Sequence, residues 1–119
     1  SGQEKHTLDL KIQGLTPFVD GARILALANG ISDTSTVRRL QQLKQRGVLN
    51  ALDADAYEEA YQYIQLLRMQ QHQHQDRQQR AFSNRVAPDT LNHLDQRILR
   101  ESFRQAQRLQ SSLALRYQL

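Results

Sequence analysis

The feature that most constrains this chain is the spacing of its apolar residues between Asn92 and Tyr117. Leu99, Ser102, Phe103, Ala106, Leu109, Leu113 and Tyr117 fall mainly at three- and four-residue intervals. At about 100° per residue they share one face of a long helix. Such a helix must bury its stripe against other elements, and three further helical patterns precede it. The first runs from about Pro17 to Asn29, with Thr16 as an N-cap, Pro17 in the first helical position and Gly30 as a left-handed terminator. Phe18, Val19, Ala22, Ile24, Leu25, Ala26, Leu27 and Ala28 make it apolar nearly all round. The second spans about Ser35 to Arg46, with Val37, Leu40 and Leu43 on a stripe and Gly47 at its end. The third starts at about Ala54, capped by Asp53, and carries Ala56, Tyr57, Ala60, Tyr61, Ile64 and Leu67. It continues into the polar run QQHQHQDRQQR, from Gln70 to Arg80. Phe82 to Leu91 reads as a loop around Pro88, and Asn92 with Asp95 resembles a capping box opening the last helix.

Short connections between such helices predict an all-α, four-helix up-down bundle with antiparallel neighbours over residues 7–119. Thr7 to Ile12 (TLDLKI) alternates in polarity and predicts a short strand or extended arm, broken at Gln13-Gly14. Residues 1–6 are polar and read as a disordered tail. Ser1 and Gly2 read as a remnant of expression, and the whole as a piece of a longer protein.

A chain of 119 residues suits one domain. It contains no Cys, which rules out disulfides and thiolate metal sites. No apolar run approaches the roughly 20 residues of a membrane span, and no signal peptide opens the chain, so a cytoplasmic location and no membrane partner are expected. The net charge of +4 comes mostly from Arg and favours anionic partners without naming them.

Several charged residues are candidates for function. Asp20 and Arg23 lie three apart on the most apolar helix, where they can pair with each other or leave Arg23, with Lys11, to bind an anion in a cleft. Gly21 between them costs about 1 kcal/mol against Ala in a helix interior, which close helix packing would explain. Asp9, between Leu8 and Leu10, is a strand carboxylate of the kind that can hold Mg²⁺. Arg39 and Arg68 are weaker candidates. Arg97, Arg100, Arg104 and Arg108 fall within about 80° on the last helix, opposite its apolar face. They read as a solvated face with Glu–Arg pairs or as a surface for an acidic protein or nucleic acid. No aromatic residues interleave with them, so nucleic acid is disfavoured. His72 and His74 are two apart, point in nearly opposite directions on a helix and read as part of a solvated polar tract rather than a metal site. No residue set completes a catalytic site.

The opening stretch, LDLKIQGLTPFVDGARILAL, resembles the start of the C-terminal helical domain of bacterial putative nucleotidyltransferases. The matching residues are Asp9-Leu10-Lys11, Gly14-Leu15, Pro17, Val19-Asp20 and Ala22-Arg23. TVRRL (Thr36 to Leu40), AYQYIQLLRMQ (Ala60 to Gln70) and the last helix agree in order; the Gln- and His-rich tract is not part of the pattern. The resemblance implies a substrate-binding domain that follows a nucleotidyltransferase domain, often with cyclic-nucleotide-binding and CBS modules upstream. Relatives include protein-PII uridylyltransferases. It also implies that Mg²⁺ and a nucleoside triphosphate serve the full-length protein, with a protein or small molecule as acceptor. The fragment alone is then expected to be inactive. In that setting Lys11, Arg23, Asp20, Asp9, Arg39 and Arg68 are the expected contacts to nucleotide or acceptor. A homodimer through an apolar helix face is a third expectation.

Overall fold

The computed structural model describes residues 6–118; most of the expected tail, residues 1–5, lies outside them, as does residue 119. Four helices make up the domain: α1 (Thr16–Ala28), α2 (Thr36–Gln45), α3 (Ala51–Arg77) and α4 (His93–Tyr117). A two-residue strand, β1 (Leu8–Asp9), pairs antiparallel with β2 (Arg85–Val86), Leu8 opposite Val86 and Asp9 opposite Arg85. The all-α bundle and the extended arm are thus both present, and no described helix is long and apolar enough to cross a membrane.

The arm is shorter than expected, and Gln13-Gly14 does not break the chain. Residues Leu10–Leu15 form one π-helical stretch that runs directly into α1. Its N-cap is Asp9, whose Oδ1 accepts from the Lys11 and Ile12 amides at 2.9 and 2.7 Å. Thr16 is therefore helical rather than a cap, because the first orphaned amides were satisfied seven residues earlier. Gly14 serves packing instead of turning: a Cβ there would meet Ile64 and Phe103 at 3.1–3.2 Å. Gly30 and Gly47 do end helices, with φ of +70° and +73°.

Helix α3 also starts earlier than its expected Asp53 cap. Asn50 takes that role, its Oδ1 accepting from the Asp53 amide at 2.8 Å. Asp53, freed from capping, pairs with Arg108 on α4. Asn92 caps α4 as expected, accepting from the Asp95 amide at 2.8 Å.

Side-chain contacts fix the directions of the helices. Gln41 meets Glu58 and Lys44 meets Asp55, so α2 and α3 are antiparallel. Arg108 meets Asp53 and Tyr63 meets Asp95, so α3 and α4 are antiparallel too. At the first connection the return run is made by the connector itself. Arg46 at the end of α2 donates to the Asn29 carbonyl at 2.7 Å, while Arg39 and Gln42 contact Asp33. Residues 30–35 thus run back beside α2.

The core is the shared interior of all four helices. Phe18, Leu25, Leu40, Leu43, Ile64, Leu99 and Leu109 are fully buried. Phe18 sits between the Tyr57 and Tyr61 rings, with centroids 6.3 and 6.2 Å away. Leu27 is 68% exposed, so α1 is not buried all round.

Candidate functional site

The expected site residues distribute over several places. Asp9 is committed to capping and is half-buried. Lys11 is exposed on the π-helical stretch. Arg23 pairs with Asp20 at 3.3 Å, both side chains about half exposed (52% and 48%). This is a surface ion pair rather than a buried one, worth about 0–1 kcal/mol; Asp20 and Arg23 follow the apolar residues on α1 but turn away from the core. Arg39 donates to the Asp33 carbonyl at 2.7 Å and helps hold the α1–α2 connector. Arg68 donates through Nε to Asn84 Oδ1 at 2.7 Å. Lys11 and Arg23 line none of the five clefts described.

The Arg stripe of α4 is partly neutralised. Arg104 makes a two-pronged contact to Glu101, with both distances 3.0 Å. Hydrogen bonds from Arg104 and Gln105 hold the Glu101 carboxyl below its usual pKa. Arg108 reaches Asp53 at 3.1 Å and Gln105 at 3.0 Å. Arg100 makes only a 3.4 Å contact with Gln96, and Arg97 has no ion pair among the described residues.

What the sequence could not show is that this stripe and the entry segment meet. Leu8, Ile12, Gln13 and Pro17 from the N-terminal segment, together with Arg100, Phe103, Arg104 and Gln107 from α4, line one open cleft of about 570 Å³. The close approach at Gly14 explains the juxtaposition. With no side chain there, the entry segment lies directly on Phe103, and the outer arginines of α4 flank it. The result is an apolar floor with two guanidinium groups on its rim, one of them already paired.

The polar tract of α3 departs from the solvated reading. Gln75 is buried, and its side-chain amide accepts from the Ser83 amide at 3.0 Å and donates to the Ser83 carbonyl at 3.4 Å. Gln71 donates to the carbonyls of Ser83 and Arg85. His72 Nε2 and Arg68 Nε both contact Asn84 Oδ1. From the other side Leu10 donates its amide to the Asn84 carbonyl at 2.8 Å. Residues 83–86 are thus a strap stitched to α3 by side chains and to the entry segment by backbone. The signal was present in the sequence: Gln71 and Gln75 are four apart, on one helix face with Arg68 and His72.

Among the described residues no group of three His, Cys, Asp or Glu side chains is placed to hold a metal ion. The Asp9 Oδ1 already accepts two amide hydrogens. A carboxylate spent on capping in this way does not fit a Mg²⁺ ligand at Asp9.

The family model described as "Putative nucleotidyltransferase substrate binding domain" matches residues 1–117. The chain belongs to this family. No curated protein and no solved structure matches it. As a nucleotidyltransferase substrate-binding domain, the chain is expected to present a surface to a substrate. The cleft where the entry segment meets α4 brings Leu8, Ile12, Gln13 and Pro17 of the opening stretch beside Arg100, which has no carboxylate partner among the described residues.

Proposed function

We propose that this domain contributes the cleft between its entry segment and α4 as one wall of a substrate site shared with a nucleotidyltransferase domain joined upstream. The observation that carries this reading is the convergence of Ile12, Gln13, Arg100 and Arg104 on one cleft beside the strand through which the chain enters the bundle. Arg100 on the cleft rim would meet a phosphate or an acidic acceptor, and Lys11, exposed on the entry segment outside the cleft lining, would add long-range attraction for the same anion. Glu101 keeps Arg104 oriented and damps its charge. Arg23, Asp20 and Arg39 would act in orientation and packing. The acceptor is a protein or a small molecule, and any Mg²⁺ and nucleoside triphosphate would be held by residues of the catalytic domain. CBS and cyclic-nucleotide-binding modules upstream would make the whole a cytoplasmic signalling protein.

The competing reading is a stand-alone module that binds an acidic protein or nucleic acid through α4. It is weakened because Arg104 and Arg108 already have carboxylate partners, leaving Arg97 and Arg100 as its free cations. The deciding measurement is Mg-nucleotide binding and transfer by the protein carrying its nucleotidyltransferase domain. Charge reversal at Arg100 and at Lys11 is expected to weaken binding or transfer about fivefold each, the equivalent of about 1 kcal/mol. Reversal at exposed Arg77 should leave both unchanged. Equal behaviour of all three variants, with unfolding transitions intact, rejects the proposed site.

A further inference from the structure

The largest of the five clefts named among the described residues lies elsewhere, between the second half of α3 and Phe82 in the segment that follows it. Its volume is about 750 Å³, within the range of small-molecule sites, and it shares no lining residue with the cleft at the chain entry. Three features of it are unusual for a helix facing only water.

The first is a ring platform. Phe82 stacks on His72 with centroids 5.1 Å apart and planes 20° from parallel. His72 is itself fixed by Asn84. Phe82 remains 66% exposed, beside Met69 (51%) and Leu66 (47%). A stacked ring with an open apolar side suits another planar ring, because aromatic faces stack with little regard to sequence or substituent. The second is an unneutralised cation. Arg68 spends its Nε on Asn84, which aims the guanidinium, and no carboxylate pairs with it among the described residues. The third is a set of polar groups beyond the platform. Gln73, next to His72, and Asp76 also line the cleft, and Asp76 is eight residues from Arg68, about 12 Å along the helix. Gln and Asp side chains recognise amino-bearing base edges.

We propose that this cleft binds a nucleoside monophosphate bearing an exocyclic amine on its base. Phosphate lies on Arg68, the base lies on the Phe82–His72 platform, and the amine faces Gln73 and Asp76. The cleft is a second ligand site, and it does not depend on the assignment of the entry cleft. Asn84 is a positioning residue, since it holds both Arg68 and His72.

Isothermal titration of the 119-residue chain with adenosine 5′-monophosphate tests this. Binding is expected with Kd below about 1 mM, with inosine 5′-monophosphate, adenosine and inorganic phosphate each weaker. Phe82→Ala should weaken binding about tenfold. Phe82→Trp should retain it and report it by quenched fluorescence. Asn84→Ala should weaken it while leaving the unfolding transition of α3 in place. Four outcomes overturn the proposal: no binding of the nucleotide up to about 1 mM; inorganic phosphate binding as tightly as the nucleotide; affinity indifferent to Phe82→Ala; or self-association abolished by Phe82→Ala without nucleotide binding, which marks a protein-docking face.

Discussion

At the scale of single residues, two glycines of the opening stretch, Gly14 and Gly21, act by what they lack. A Cβ at Gly21 would lie 2.7 and 2.9 Å from Leu109 and 3.2 Å from Leu113. Leu109 is fully buried and cannot swing away. Gly21→Ala should therefore destabilise by about 1 kcal/mol net, overpacking of about 1–3 kcal/mol offset by about 1 kcal/mol of helix propensity. Leu109→Ala alone should cost about 2–5 kcal/mol. The double variant should lose less than the sum, because each change removes the other's conflict. Urea unfolding of the four proteins measures the coupling, and strict additivity would refute the packing account of Gly21. The sequence flagged Gly21 as a cost in need of a reason. It gave no such hint for Gly14, whose position before Leu15-Thr16-Pro17 looks like a turn and is occupied by helix.

At the scale of elements, helix existence was legible and helix starts were less so. The N-terminal boundaries moved because caps compete locally. Asp9 and Asn50 each accept from amides two or three residues on, and a cap that acts earlier makes a later candidate such as Thr16 or Asp53 redundant. The strap over residues 83–86 reads as loop because its own sequence carries no strand pattern; Gln71 and Gln75 were legible as one polar face of α3, but what they and β1 hold is decided in three dimensions. Gln75→Ala should leave the helices intact and release this strap. Hydrogen exchange at the Ser83 amide is the direct readout, with faster exchange there and little change at α2. A global loss of about 1 kcal/mol is expected for two hydrogen bonds at an exposed segment. Unchanged exchange at Ser83 would show that β1 and Asn84 suffice to hold the strap.

At the scale of the whole molecule, α3 and α4 form its spine, joined at one end by Arg108–Asp53 and further along by Tyr63–Asp95. Burial, then the nearby Asp95 carboxylate, pushes the Tyr63 phenol up from 10.0 to about 12. Burial also raises Tyr57. The folded state thus holds these phenolic protons more tightly than the unfolded chain. The resulting stability is fully present below pH 10 and is lost as pH rises through about 12. Tyr63→Phe should lessen, without abolishing, the fall in thermal stability across that window, and absorbance titration should find one phenol near 12. A pH dependence identical to that of the parent would remove Tyr63 from this role. Local patterning by itself determined the four helices, the family's opening motif and most of the buried face of α4, because apolar periodicity and caps are read within a few residues. Only the tertiary structure decided that Asp20 and Arg23 face solvent, that the α1–α2 connector runs back beside α2, and that the entry segment meets the α4 arginines in one cleft. Those outcomes depend on which helix faces approach closely. That approach is set by the absent side chains of Gly14 and Gly21 against residues about 50–95 positions away, a distance over which no local pattern carries information.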